Sequence, residues 1–225
     1  MSVAEKLTEI KNKLPNRVKL VAVSKTQSPE IILSAYNAGH AIFGENKVQE
    51  LVDKQQKLPK DIEWHFIGHL QSNKVKYIAG FVHLIHGVDS LKLLKVIDKE
   101  AQKSEKIIKC LLQVKIAREE TKFGLAEEDL VKILESEAFQ GLQYISINGL
   151  MGMATFTTDK EVIRNEFRQL NAIFNKVKKD YYSDNEEFSE LSMGMSHDYQ
   201  IAVEEGATIV RLGSSIFGPR NYLNQ

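Results

Sequence analysis

Eight short runs rich in apolar and β-branched residues recur along this chain, each but the last followed by a stretch of helical periodicity. They are Val18 to Ser24, Ala41 to Glu45, Trp64 to His69, Val82 to Val88, Ile107 to Lys115, Tyr144 to Leu150, Glu190 to Met193 and Thr208 to Leu212. Between them, sets such as Leu91, Leu94, Ile97 and Ala101, or Ile163, Phe167, Leu170, Phe174 and Val177, are spaced for one helical face. Strands alternating with helices specify a parallel sheet covered by helices. No glycine-rich dinucleotide fingerprint follows the first run, which favours a closed (β/α)8 TIM barrel over an open doubly wound sheet, the alternative. Met1 to Leu14 mixes charges with apolar residues at helical spacing, so an extra N-terminal helix is expected ahead of the barrel.

Boundary chemistry agrees. Ser28-Pro29-Glu30 reads as an N-cap with proline at the first helical position, Gly39 and Gly80 fall where helices should stop, and Thr158 with Glu161 suggests a capping box. At 225 residues and 43% hydrophobic content the chain can bury one full core, and no proline-, glycine- or serine-rich linker divides it. A single domain over residues 1–225 is expected. Thirty basic and 30 acidic residues cancel, which argues against nucleic acid as a partner. The lone Cys110, set among Ile107, Ile108, Leu111 and Leu112, reads as a buried strand thiol in a reducing compartment. With no signal-peptide core and no run of membrane-spanning length, a cytoplasmic protein is expected.

Lys25 follows the first run, so in a barrel its amine stands at the strand end that forms the active face. A lysine attacks an aldehyde only as its neutral amine, which at a reference pKa of about 10.4 is on the order of one molecule in a few thousand at pH 7. Burial at a barrel mouth raises that share. The last two runs lead into Ser192-Met193-Gly194-Met195-Ser196 and Arg211-Leu212-Gly213-Ser214-Ser215, whose hydroxyls and glycine amides suit a phosphate in the slots where barrels often bind one. Capping turns are the ordinary alternative for either segment alone. Arg211 lies within the eighth run, where a guanidinium needs a partner: a pyridine nitrogen, or a strand carboxylate such as Glu45. An amine, a phosphate cradle and an arginine together form a constellation that one cofactor needs, pyridoxal 5′-phosphate (PLP). Facing an arginine that keeps its proton, the pyridine would stay unprotonated and act as a weaker electron sink.

Other residues carry less. Asn46 and His69 fall at strand ends, where they either touch a ligand or cap the next helix. His65 and His69 share a strand face in principle, His83 and His86 do not, and no further ligands complete a set, so no metal is expected. Thr121-Lys122-Phe123-Gly124 reads as a solvated turn after the fifth strand.

Val21 to Thr26, Phe43-Gly44-Glu45-Asn46, His65 to Lys74, Leu191 to Ser196 and Arg211-Leu212-Gly213 with Ile216-Phe217-Gly218 together resemble the motifs of the PLP homeostasis protein family, also called YggS or PROSC, nearly end to end. The fold of that family is like the N-terminal barrel of alanine racemase. The resemblance implies a Schiff base of PLP on Lys25, a phosphate surrounded by Ser192, Gly194, Ser196, Gly213 and Ser214, and Arg211 facing the pyridine nitrogen. It also implies a monomer with a role in vitamin B6 supply (PLP homeostasis) and no established reaction; a carrier of this kind would either release PLP to PLP-dependent apoenzymes or buffer the free aldehyde. Leucine at 212 and serine at 214, where the family often has isoleucine and threonine, preserve hydrophobicity and a hydroxyl.

Two rivals remain. An amino-acid racemase needs acid and base groups on opposite faces of the reacting carbon, and a lysine serves only one. In the racemases the other is a tyrosine from an added C-terminal domain, for which a chain ending at Gln225 leaves no expected counterpart. A Schiff-base aldolase acting on a phosphosugar would use Lys25 and the cradle but leave Arg211 without a role.

Overall fold

The computed structural model describes residues 1–119 and 123–218. Its eight strands are β1 (Lys19–Val23), β2 (Ile42–Glu45), β3 (Glu63–Phe66), β4 (Leu84–Val88), β5 (Ile108–Gln113), β6 (Ile145–Met151), β7 (Glu190–Met195) and β8 (Ile209–Leu212). They pair in parallel and in sequence order, and β1 closes on β8 through Lys19↔Ile209 to Ala22↔Leu212. All eight expected strands are present. The closed barrel replaces the open sheet.

Nine helices among the described residues surround it: α1 (Val3–Lys13), α2 (Pro29–Asn37), α3 (Val48–Lys57), α4 (Leu91–Lys103), α5 (Glu127–Glu135), α6 (Glu137–Gln140), α7 (Lys160–Tyr181), α8 (Tyr199–Glu204) and α9 (Ser214–Phe217). A 3-10 turn over Ser72–Tyr77 stands in the place of a helix between β3 and β4. The extra helix α1 starts in a capping box of Ser2 and Glu5, buries Leu7 and Ile10, and packs on α2 and α9. Pro29 opens α2, and Gly39 follows it at φ +78°. The start of α7 differs by one residue from expectation: Asp159, not Thr158, accepts the amides of Glu161 and Val162. A carboxylate at the N-cap also meets the helix dipole, which a hydroxyl cannot do.

Because side chains alternate along a strand, each strand feeds two separate cores. The large one, between sheet and helices, contains Leu20, Ala22, Phe43, Trp64, Phe66, Phe167 and Phe188. The small one fills the lumen with Val21, Leu84, Leu111, Met151 and Ile209. Buried Cys110 lies in the outer core, where burial pushes its thiol pKa far up, as expected of an inert strand thiol. Thr121 and Lys122 lie outside the described residues, and Phe123 is an exposed neighbour of that segment. Among the described helices none is long and apolar enough to cross a membrane.

Candidate active site

The alternation that places Val21 in the lumen also places Val23 and Lys25 there, one and two steps nearer the C-terminal mouth. That mouth opens into a cavity of about 330 Å³, whose walls include Lys25, Asn46, Ser196, Arg211, Gly213 and Ser214. Six of the nine residues singled out in the sequence therefore meet in one space. The size falls in the range of small-molecule sites.

The other three stand nearby. Ser192 is fully buried beneath the cavity and receives Arg211 Nη1 on its Oγ at 2.5 Å. Gly194, at φ +91°, turns the chain from β7 toward α8, and a Cβ there would lie 2.6 Å from the Ala202 Cβ. Its absent side chain serves that close approach. His69 lies beyond the cavity wall, its ring stacked on Phe123 at 4.2 Å with Nδ1 3.5 Å from Asp89.

Arg211 is 4% exposed. Its Nη2 donates to Gly152 O at 3.1 Å, and Glu45, the carboxylate alternative from the sequence, is committed elsewhere. Burial lowers the guanidinium pKa to about 10, opposed by the charge of Asp198. It stays protonated at neutral pH. Ser196 Oγ accepts the amides of Gly213 at 3.2 Å and Ser215 at 3.5 Å, so three residues that follow β7 and β8 converge where an anion can be held.

Behind Lys25 lies a buried network that sequence reasoning missed. Lys54 Nζ donates to Glu45 Oε1 at 2.7 Å, to Ser24 O at 2.9 Å and to Glu50 Oε2 at 3.2 Å, while Ser24 Oγ donates to the same Glu45 oxygen at 2.6 Å. Burial raises the Glu45 pKa, and Lys54 and Ser24 pull it back. Glu50 also accepts the Thr26 amide at 2.9 Å. Thr26 has φ +65°, an outlier for a β-branched residue, directly after Lys25. Such strain persists only where neighbours over-determine it. Glu50 and Lys54, at i and i+4 on α3, look in sequence like a solvent-facing pair. Only the turn above them reveals that Lys54 is buried.

The floor of the site is polar as well. His86 Nδ1 lies 2.9 Å from Ser192 Oγ, and His86 Nε2 lies 2.9 Å from His65 Nδ1. Burial holds the pKa of His86 well below the usual imidazole range and that of His65 at about 3, so both are neutral at physiological pH. A chain of four side chains thus runs down the lumen from Arg211. His86 is legible in hindsight, since it alternates with Leu84 on the lumen face of β4.

The chain matches the family model described as alanine racemase, N-terminal domain, over residues 2–221. A pyridoxal phosphate homeostasis protein of Aquifex aeolicus is 42% identical over 208 residues, 92% of this chain and 89% of that protein. One of Haemophilus influenzae is 36% identical over 94% of this chain and 89% of that protein. PipY of Synechococcus elongatus, solved with PLP bound, is 36% identical with a TM-score of 0.87 over 96% of this chain and 100% of that one. An alanine racemase of Clostridium difficile, 16% identical, shares the fold alone, with a TM-score of 0.78 over 99% of this chain and 60% of that one. By its barrel, its cavity and these relatives, the chain belongs to the pyridoxal phosphate homeostasis proteins of the alanine racemase N-terminal-domain family.

Proposed function

We propose that the cavity holds pyridoxal 5′-phosphate on Lys25 and that the protein stores and delivers this cofactor inside the cell, without turning over an amino acid. The observation that carries the reading is the meeting of one lysine, one buried arginine and a serine- and glycine-lined anion cradle in a single cavity. The residues fit the group. Asn46 Oδ1 is buried at the cavity wall without a hydrogen-bond partner among the described residues, and a polar ligand would relieve it.

When bound, PLP supplies an aldehyde that captures an amine and a ring that withdraws electrons. Lys25 offers the amine from the strained turn after β1, held by the Glu50 and Lys54 network. Ser196, Gly213 and Ser214 would take the phosphate. Arg211 keeps its proton and so presents a donor, not a base, to whatever faces it. Among the described residues lining the cavity there is no tyrosine, which leaves Lys25 without the opposing group a racemase uses. These features favour a carrier that acts as a single chain and gives PLP to apoenzymes.

Mass spectrometry after borohydride reduction of PLP-treated protein tests the cofactor site. A pyridoxyl group on the Lys25 peptide, absent from Lys25→Ala, is expected. Scattered adducts on surface lysines would overturn the reading. Alanine racemisation that disappears in Lys25→Ala would replace the carrier with an enzyme.

A further inference from the structure

At the end of the lumen opposite Lys25, β3 contributes Glu63 and His65, and His83 stands just ahead of β4 with its amide bonded to Trp64 O at 2.9 Å. One ligand atom from each lies within 4.8 Å of the others. His83 Nε2 is 3.5 Å from Glu63 Oε2, close to the spacing of about 3.4 Å between ligand atoms in a tetrahedral zinc site. His65 is 2% exposed, yet its Nε2 has no hydrogen-bond partner among the described residues. The three residues line a pocket of about 50 Å³, room for one ion and little more, and buried Asn148 Oδ1 in its wall also lacks a partner.

We infer that Glu63, His65 and His83 hold a divalent transition-metal ion of the zinc class at the N-terminal mouth of the barrel, His65 binding it through Nε2. Two imidazoles and a carboxylate are a borderline-soft donor set that suits zinc and leaves a fourth position for water. Glu63 and His83 are nearly half exposed and provide the path in from solvent. Lys19 and Lys109 on the same rim are matched in number by Glu63 and Glu190, and Lys19 is already bonded to Glu190.

The lumen chain supports His65 as a ligand. Metal-bound histidines donate their other N–H to a fixed acceptor, here His86 Nε2. With His65 Nδ1 donating, His86 must donate from Nδ1 to Ser192 Oγ, which also accepts from Arg211. An ion at the bottom therefore selects one direction for every hydrogen bond up to the cofactor cavity. The ion site is independent of what that cavity binds.

The full chain, stripped with a chelator, is titrated with Zn²⁺ by calorimetry and with Co²⁺ by visible absorption. One equivalent per chain with four-coordinate cobalt bands is expected, weakened at least about tenfold in His83→Ala and in Glu63→Gln. Circular dichroism of both variants, whose altered side chains are half exposed, checks that they fold. No binding by the folded wild type, or binding unchanged in both variants, overturns the inference.

Discussion

Arg211 has two hydrogen bonds for five donor hydrogens and no carboxylate within ion-pair distance among the described residues. A guanidinium kept this way contributes little to the fold, because its desolvation offsets what Ser192 and Gly152 return. Its use is to face the cavity. Arg211→Met is expected to leave the stability of the ligand-free protein within about 1 kcal/mol in urea unfolding while weakening PLP binding about tenfold or more. A loss of several kcal/mol with binding intact would make the arginine a structural pin instead. Lys54 is the opposite case: a buried cation with three acceptors, placed to fix the turn that presents Lys25.

At the scale of elements, the end of β7 packs tightly on α8 near the site. Gly194→Ala brings a Cβ to 2.6 Å from Ala202 Cβ at a positive φ, so a destabilisation of about 2–4 kcal/mol in denaturant unfolding is expected. Adding Ala202→Gly should return part of it, since that second change relieves the clash but not the backbone strain. The strand runs were legible because parallel barrel strands are buried on both faces and read as apolar stretches. Lys25, Ser196 and Arg211 were legible because strand ends in such a barrel define the mouth. The Lys54 network was not, because its members lie in the turn after β1, on β2 and on α3, and only tertiary packing brings a helix lysine under a strand turn. Glu63 escaped, and His83 was weighed only beside His86, for the same reason: Glu63 and His65 on β3 meet a residue some twenty positions on only when β3 pairs with β4. The cap of α7 was missed by a single residue, as helix starts often are where several polar residues adjoin.

For the whole molecule, acid is expected to act through buried imidazoles. His40, 4% exposed between α2 and β2, has its pKa lowered to about 4, first by burial and then by Lys11. The unfolded chain binds that proton near pH 6.5 and the folded chain only near 4, so stability present above the higher value is lost as pH falls through this window. The loss attributable to this group is up to about 3 kcal/mol. Unfolding free energies at pH 7 and pH 4.5 should differ less in His40→Gln, which retains a donor for Ile42 O, than in the wild type. Equal differences would assign the acid sensitivity to other groups.

The seam between β1 and β8 joins the first strand of the chain to the last, and it unites Lys25 with Arg211, Gly213 and Ser214. During synthesis the lysine emerges early and waits, beside an unpaired strand edge, for nearly the entire remaining chain. The cofactor cavity is then the last part of the barrel to come into being. A nascent or truncated chain without β8 presents Lys25 without Arg211, Gly213 and Ser214, so tight retention of a ligand in the cavity marks a finished molecule.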